Sequence, residues 1–300
     1  SKPGRLRIGY FSSDFKMHAV MFNLIGTLER HNPELFKIYA YSFGAECNDE
    51  MRQRTVKAVD VFVDVKNMGD RDIALRARQD KIDIAIDLSG YTKNGRTGIF
   101  AYRAAPVQIN YLGYPGTIGA DFIDYNIADQ TMVPVENQRF FSEKLIYMPQ
   151  FSPFDTSIPI SEVTPSRAEL GLPEEGFVFC AINNSYKLRP SDFDMWMRLL
   201  KRVEGSVLWL LEANKWCKAN LIKEAEARGI KADRLVFQPR MVTDSASQSK
   251  YLAQFRQADL YLDTFIYGAG GTANNALWAG LPVLTKIGHG FTSRMAAGYL

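Results

Sequence analysis

Residues 268–280 read Gly-Ala-Gly-Gly-Thr-Ala-Asn-Asn-Ala-Leu-Trp-Ala-Gly and follow the apolar run Ala258–Thr264. The pattern predicts a strand that enters a loop of small residues and then a helix ending at Gly280. Gly268, Gly270 and Gly271 let the backbone approach a ligand without interference from Cβ atoms. The N–H groups of the first helical turn, at the positive end of the helix dipole, make an anion site that suits phosphate or diphosphate. The same glycines also suit a turn that is merely tight, and spacing alone does not separate the two. A cation nearby would add to the case, and Lys187 lies in the loop after the predicted strand 177–182. On spacing alone Lys187 is also readable as a solvated surface lysine. His18, in the loop after the first strand, carries an imidazole whose ordinary pKa of ~6.5 suits proton handling near neutrality. Its local sequence fits equally a helix-start histidine bonded to backbone. Asp192 and Asp194 have the Asp-x-Asp spacing of a metal site, but both fall in the first turn of a helix that Ser191 is expected to cap, with Asp194 completing a capping box. They are read as capping residues, and no metal is expected. His31 and His289 have no partners at ligand spacing.

These residues need elements to hold them. Arg7–Phe11, Phe36–Ser42, Val61–Val65, Ile82–Leu88 and Val107–Leu112 read as strands, with helices at 19–29, 49–58 and 70–79 between the first four. Further apolar runs lie at Phe122–Ala128 and Lys144–Met148. Strands alternating with helices of this length indicate βαβ units and a parallel sheet. Ligands bind such sheets beyond the carboxyl ends of the strands, which directs attention to loops 12–18, 90–96 and 112–119. The alternation stops over Pro149–Pro165, which carries four prolines and no periodicity. It restarts with Phe177–Ile182, Val207–Leu211, Leu235–Phe237, the glycine-loop strand and Pro282–Thr285, with a polar insert at Thr243–Lys250. The reading is an N-terminal Rossmann-like domain at 1–149, a linker at 150–166 and a C-terminal Rossmann-like domain at 167–300, with an interdomain cleft as the ligand site.

Three hundred residues suit two ordinary domains, and 46% hydrophobic with 23% charged residues is a globular composition. No apolar run approaches the ~20 residues of a membrane span, and no leader peptide is expected. Cys47, Cys180 and Cys217 are too few and too scattered for a disulfide framework or a zinc site, so a cytoplasmic protein is expected. A net charge of +3 with interspersed signs gives no sign of a nucleic-acid partner.

In order along the chain stand Ser12-Ser-Asp-Phe with His18, Gly90-Tyr-Thr-Lys, Ala105-Pro-Val-Gln, Leu112-Gly-Tyr-Pro-Gly-Thr117, Ser142-Glu-Lys-Leu, Asn183-x-x-Tyr-Lys187, Ser206-Val-Leu-Trp-Leu-Leu211 and Leu277-Trp-Ala-Gly280. Together they resemble the catalytic region of O-linked N-acetylglucosamine transferases, the family 41 glycosyltransferases, over essentially the whole chain. The resemblance implies a GT-B-like α/β fold: two Rossmann-like domains with parallel sheets facing across a cleft that holds a UDP-sugar, with neither metal nor cofactor. It implies UDP-GlcNAc or another UDP-sugar as donor and a protein as acceptor. Tetratricopeptide repeats would precede Ser1, and the helices closing the fold would follow Leu300.

By that resemblance Lys187 stabilises the charge of departing UDP, the kind of preorganised electrostatic help whose loss costs ~3–4 kcal/mol in a transition state. His18 becomes a cleft residue near sugar and acceptor, with the proton passing either to it or to a donor phosphate. Leu112, Gly113, Pro115, Gly116 and Thr117 line the sugar side. Asn183, Asn184 and Tyr186 face the nucleotide-sugar, Met241 holds uracil through backbone groups, and Tyr251 stacks on it. Gly270, Gly271 and Thr272 hold the diphosphate and Asn275 the ribose. The departures cluster here: the family pattern has His-Thr-Thr where this chain has Gly270-Gly271-Thr272, and Asp at Asn275. Tyr251 and Gln254 replace a histidine and an arginine, and Phe22 replaces a second histidine on the acceptor side. The expected activity is inverting transfer of N-acetylglucosamine to Ser or Thr hydroxyls. The competing readings are a UDP-hexose-dependent protein glucosyltransferase and a non-catalytic scaffold.

Overall fold

The computed structural model describes residues 4–151, 155–239 and 244–300. The chain divides into two compact units, residues 1–157 and 158–300. In the first unit the order is β1 (Leu6–Ser12), α1 (Ala19–Glu29), β2 (Phe36–Ser42), α2 (Glu50–Ala58), β3 (Val61–Asp64), α3 (Asp70–Gln79), β4 (Ile84–Asp87), α4 (Gly98–Ala101), β5 (Val107–Asn110), β6 (Tyr125–Ala128) and β7 (Lys144–Tyr147). The seven strands form one sheet in the order β3-β2-β1-β4-β5-β6-β7, parallel throughout. Strands β1 and β2 bury five consecutive residues at their C-terminal ends, as a sheet covered on both faces requires. Met21, Leu24, Ile25 and Leu28, spaced for one helical face, are fully buried on α1. Phe11, Tyr41, Ile73, Ala77, Ile99 and Phe100 form a second core cluster.

The second unit continues with β8 (Val178–Ala181), α5 (Pro190–Arg202), β9 (Val207–Leu211), α6 (Lys215–Ala227), β10 (Leu235–Gln238), α7 (Ser245–Gln254), β11 (Leu260–Leu262), α8 (Gly271–Trp278), β12 (Val283–Leu284) and α9 (Met295–Tyr299). Its parallel sheet has the order β10-β9-β8-β11-β12. Trp209 and Tyr261 are fully buried in a core with Cys180 and Phe255. The two-domain, parallel-sheet α/β class expected from the alternation of elements is the class observed.

Each sheet has one place where the chain reverses its direction of winding. In the first sheet it lies between β1 and β4, and in the second between β8 and β11. Loops leaving adjacent strands on either side of such a switch point part and leave a crevice for a ligand.

Several local expectations are corrected. Helix α5 begins at Pro190, whose missing N–H suits a first helical position, and Ser191 is not its cap. Asp192, not Asp194, reaches back to accept from the Arg189 N–H at 3.3 Å. Much of the polar insert 243–250 is helix: Asp244 caps α7 through the Ser247 N–H at 2.7 Å, and the Ser247 hydroxyl faces back to the cap. The boundary between the two compact units falls at 157/158, inside the expected linker. The Asp155 carboxylate takes the Arg54 guanidinium at 2.7 Å in the first. In the second, Ile158 O accepts from the Trp278 indole at 3.1 Å and Ser161 O from Arg256 at 2.9 Å.

Candidate active site

Two loop clusters lie at the two switch points, each within its own unit. In the second unit, β8 leads through Asn183 and Asn184 into a single 3-10 turn, Ser185–Lys187. Its neighbour β11 leads into loop 263–270. Lys187 Nζ donates to Gly268 O at 2.9 Å and sits 4.3 Å from the centroid of the Tyr267 ring. Burial lowers the Lys187 pKa from 10.5 to about 8, with Asp263 pulling the other way. The ammonium therefore reaches the glycine loop itself.

That loop is tied down on several sides. Asp263, 2% exposed, accepts from Thr264 N at 2.8 Å and Ala269 N at 2.7 Å through one oxygen, and from the Thr285 hydroxyl at 2.7 Å through the other. Burial raises its pKa. Asn183 Nδ2 donates to Thr264 Oγ1 at 3.1 Å, whose hydroxyl donates on to Tyr267 O at 2.7 Å. Asp192 also accepts from the Phe265 backbone N–H. The first bonds inside α8 run from Ala273 and Asn274 to Gly270 O at 2.9 and 3.1 Å. The N–H groups before them therefore lie outside the helix's own ladder. A Cβ on Gly270 would come within 2.9 Å of Met295 Cε, so the bare backbone at the helix start is matched by its neighbour. Lys187, Asn183 and residues 268–272 are thus assembled at one switch point.

The other expected donor residues are more spread out. Tyr186 is 71% exposed, its ring 6.0 Å from that of Tyr267. Tyr251 packs its ring edge-on against Phe255 at 5.1 Å and against the core. Gln254 is buried and accepts from Gln238 at 2.5 Å. Asn275 accepts from Gln248 at 3.5 Å. Met241 lies outside the described residues.

In the first unit, loops 13–18, 88–95 and 111–119 leave β1, β4 and β5, which are neighbours. His18 is the N-cap of α1: its Nδ1 accepts from Val20 N at 3.3 Å. The backbone-bonded alternative left open by the sequence is therefore realised, in the predicted loop. An Nδ1 that accepts carries no proton, so the neutral ring holds its proton on Nε2. Burial lowers the His18 pKa, opposed by Asp14, whose carboxylate lies 3.9 Å from Nδ1. Phe22, in place of a second histidine, is half-buried on the same helix.

Asp87 ends β4 and folds one carboxylate oxygen onto Ser89 N at 2.8 Å and Gly90 N at 3.0 Å. Its other oxygen has no partner among the described residues, nor do Ser13 Oγ, Ser89 Oγ and Asn110 Oδ1. Burial pushes the Asp87 pKa up to about 6. Leu112 adopts φ +74°, a strained conformation for a branched residue. Gly113 follows because a Cβ there would overlap Leu88 O. Gly116 O accepts from Asn110 at 3.1 Å and Asn126 at 2.8 Å. Leu112, Gly113, Pro115, Gly116 and Thr117 thus form one fixed loop beside the Asp87 turn.

Asp87 and Asp263 were not singled out from the sequence. Each ends an apolar strand, Asp87 before Leu-Ser-Gly and Asp263 before Thr-Phe-Ile-Tyr-Gly. Asp192 and Asp194 are held separately, the former by backbone N–H groups and the latter by Arg228 at 2.5 Å. Among the described residues no cluster of three His, Cys, Asp or Glu could hold a metal. No helix is long and apolar enough to cross a membrane, again among described residues. A cavity of about 390 Å³ opens elsewhere in the first unit, between the ends of α1 and α2. It shares no residue with the loops above, and its charged rim is largely spent internally, Arg54 on Glu29 and Asp155, Asp60 on Arg5.

Comparison with known proteins bears on the family and the fold. The model for glycosyl transferase family 41 matches residues 1–154 and 153–300. The chain is 37% identical over 287 residues to the probable UDP-N-acetylglucosamine–peptide N-acetylglucosaminyltransferase SEC of Arabidopsis thaliana, covering 94% of this chain and 29% of that protein. It is 30% identical over 292 residues to the probable transferase of the same description, SPINDLY, from the same plant, covering 94% and 31%. It therefore spans about a third of the length of these relatives. A mutant O-GlcNAc transferase from Thermobaculum terrenum matches with TM-score 0.89 and 27% identity, over 99% of this chain and 55% of that one. The lipopolysaccharide outer core galactosyltransferase WaaB, at TM-score 0.53 and 14% identity, shares the fold alone. With both halves matched, the chain belongs to glycosyl transferase family 41 and has the GT-B-like fold class of two Rossmann-like domains.

Proposed function

We propose that this region transfers N-acetylglucosamine from UDP-GlcNAc to Ser or Thr hydroxyls of proteins, with inversion at the anomeric carbon. The observation that carries the reading is Lys187 Nζ held 2.9 Å from Gly268 O at the switch point of the second sheet. The diphosphate rests on the N–H groups that begin α8, with Lys187 beside it. As the anomeric C–O bond to phosphate breaks, negative charge grows on the diphosphate, and these fixed donors stabilise it without reorganisation. Asp263, Asp192 and Asn183 act through the loop, keeping it in place. Uracil and ribose contacts fall to Tyr251, Asn275, Tyr186, Asn184 and the backbone at Met241.

The first unit supplies the acceptor side, with residues 112–117 against the sugar. The acceptor oxygen bonds to the anomeric carbon from the face opposite the diphosphate. His18, with its proton on Nε2, offers a hydrogen bond and does not accept one there. The acceptor's proton then passes to a phosphate oxygen of the departing donor. The reaction needs neither metal nor cofactor. Tetratricopeptide repeats elsewhere in the protein would present the acceptor, in the cytoplasm.

Donor choice is tested by incubating the chain with UDP-GlcNAc and UDP-glucose in turn, with candidate acceptor proteins, and weighing the products by mass spectrometry. Addition of N-acetylhexosamine to Ser or Thr supports the assignment. Transfer of hexose alone, or to Asn, moves it to the glucosyltransferase reading. UDP binding without turnover of either donor moves it to a scaffold.

A further inference from the structure

The segment Ser142-Glu143-Lys144-Leu145 plays no part in the chemistry above, yet Glu143 is 1% exposed at the entrance to β7. Both of its carboxylate oxygens point back to one loop. Oε1 accepts from Ile118 N at 2.6 Å, and Oε2 from the Thr117 hydroxyl at 2.5 Å and the Ser142 hydroxyl at 3.1 Å. Its own main chain is pinned by Gln138, whose side chain donates to Glu143 O at 2.8 Å and accepts from Leu145 N at 2.9 Å. The donors it meets are one backbone N–H and two hydroxyls. A buried carboxyl group is costly to desolvate, and an apolar side chain would close the sheet edge at lower cost.

The loop it holds needs holding. Leu112 stands at φ +74°, and backbone in that region persists only where its surroundings over-determine it. Inside the loop, the asparagines Asn110 and Asn126 grip Gly116 O. At the far end, Glu143 grips the next two residues, Thr117 and Ile118. Tyr91 adds a hydrogen bond to Ile118 O at 2.7 Å from the Asp87 turn.

We propose that Glu143 is a positioning residue for sugar transfer, clamping the far end of loop 112–118 so that its strained start keeps one conformation. This rests on the reading that the loop meets the donor sugar. Glu143 touches no reacting atom and acts through Thr117 and Ile118. A loop displaced by about 1 Å can cost on the order of a hundredfold in rate, so the effect belongs in turnover and not in nucleotide affinity.

The test uses Glu143→Ala, Glu143→Gln and Thr117→Val, with hydrogen exchange over residues 112–119, UDP affinity, and kcat and KM for UDP-GlcNAc. Glu143→Ala is expected to raise exchange in 112–119 and lower kcat by at least about tenfold, with UDP affinity unchanged. Glu143→Gln, whose amide oxygen still accepts from Ile118 N, restores most of both. Thr117→Val, which leaves the Ile118 bond intact, gives an intermediate loss and serves if Glu143→Ala does not fold. Unchanged exchange over 112–119 in folded Glu143→Ala or Thr117→Val overturns the clamp. A loosened loop with kcat and KM unchanged overturns the sugar-facing role of the loop, and with it Glu143 as a positioning residue. Loss of UDP binding in wild-type protein would instead strike the functional assignment itself.

Discussion

Replacing Lys187 by methionine should make the protein more stable and less active. Burial moves the lysine pKa from 10.5 to about 8. At ~1.36 kcal/mol per unit, keeping the ammonium charged at neutral pH costs about 3 kcal/mol of folding stability. Methionine fills a similar volume without a charge to desolvate. It gives up the charge-assisted hydrogen bond to Gly268 O, about 2 kcal/mol net. The expected balance is a gain of about 1 kcal/mol, or roughly 2–4 °C in the unfolding midpoint of the second unit. A base whose folded pKa lies below its unfolded value is penalised fully below the folded pKa. The penalty fades as pH rises through about 8 towards 10.5, so the advantage of the variant should shrink over that window. Donor hydrolysis should meanwhile fall by ~10²–10³, the usual loss when one preorganised charge stabiliser is removed. Calorimetry at pH 7 and pH 10 with initial rates of UDP release covers both arms. A variant less stable than wild type at pH 7, or one that retains its rate, refutes the reasoning.

Further outcomes follow from the first unit. Asp87 has a folded pKa raised to about 6 from 3.8. Its contribution to stability is complete below the unfolded value and lost as pH rises through 6. Asp87→Asn should flatten that part of the stability–pH curve, worth about 3 kcal/mol over the window, as read by urea unfolding at pH 4, 5 and 7. His18→Asn keeps a good helix cap but no imidazole, so stability should stay within ~0.5 kcal/mol while turnover falls. His18→Ala should lose both, the cap being worth ~1 kcal/mol in chemical denaturation. Gly113→Ala drives a Cβ into Leu88 O, backbone that cannot turn aside. It should cost at least ~2 kcal/mol by thermal unfolding.

What could be read without coordinates divides along physical lines. Strand–helix alternation located α1, β2, α3 and β9 to the residue, because each carries a clean period or a bounded apolar run. The start of α5 was misplaced because Pro190 and Asp192 compete with Ser191 as start signals, and only the backbone decides between them. The glycine loop and Lys187 were legible as residue types. That they meet was not, because it depends on β8 and β11 being neighbours, a long-range pairing no local pattern encodes. The role of Glu143 was hidden for the same reason, since its carboxylate bonds to Thr117 and Ile118, far away in sequence. Asp87 and Asp263 bond largely to nearby backbone N–H groups and leave no ligand-like spacing. His18 shows the limit most plainly: its loop position allowed a proton-handling residue and its place at a helix start allowed a cap, and the bond to Val20 N decides its tautomer.

Hydrogen exchange with and without UDP tests the central claim most directly. If the nucleotide diphosphate sits between Lys187 and the start of α8, UDP should protect residues 183–189 and 264–275. In Lys187→Met that protection should weaken at the same UDP concentration. Protection that leaves both segments untouched, or that is equal in wild type and variant, contradicts the account.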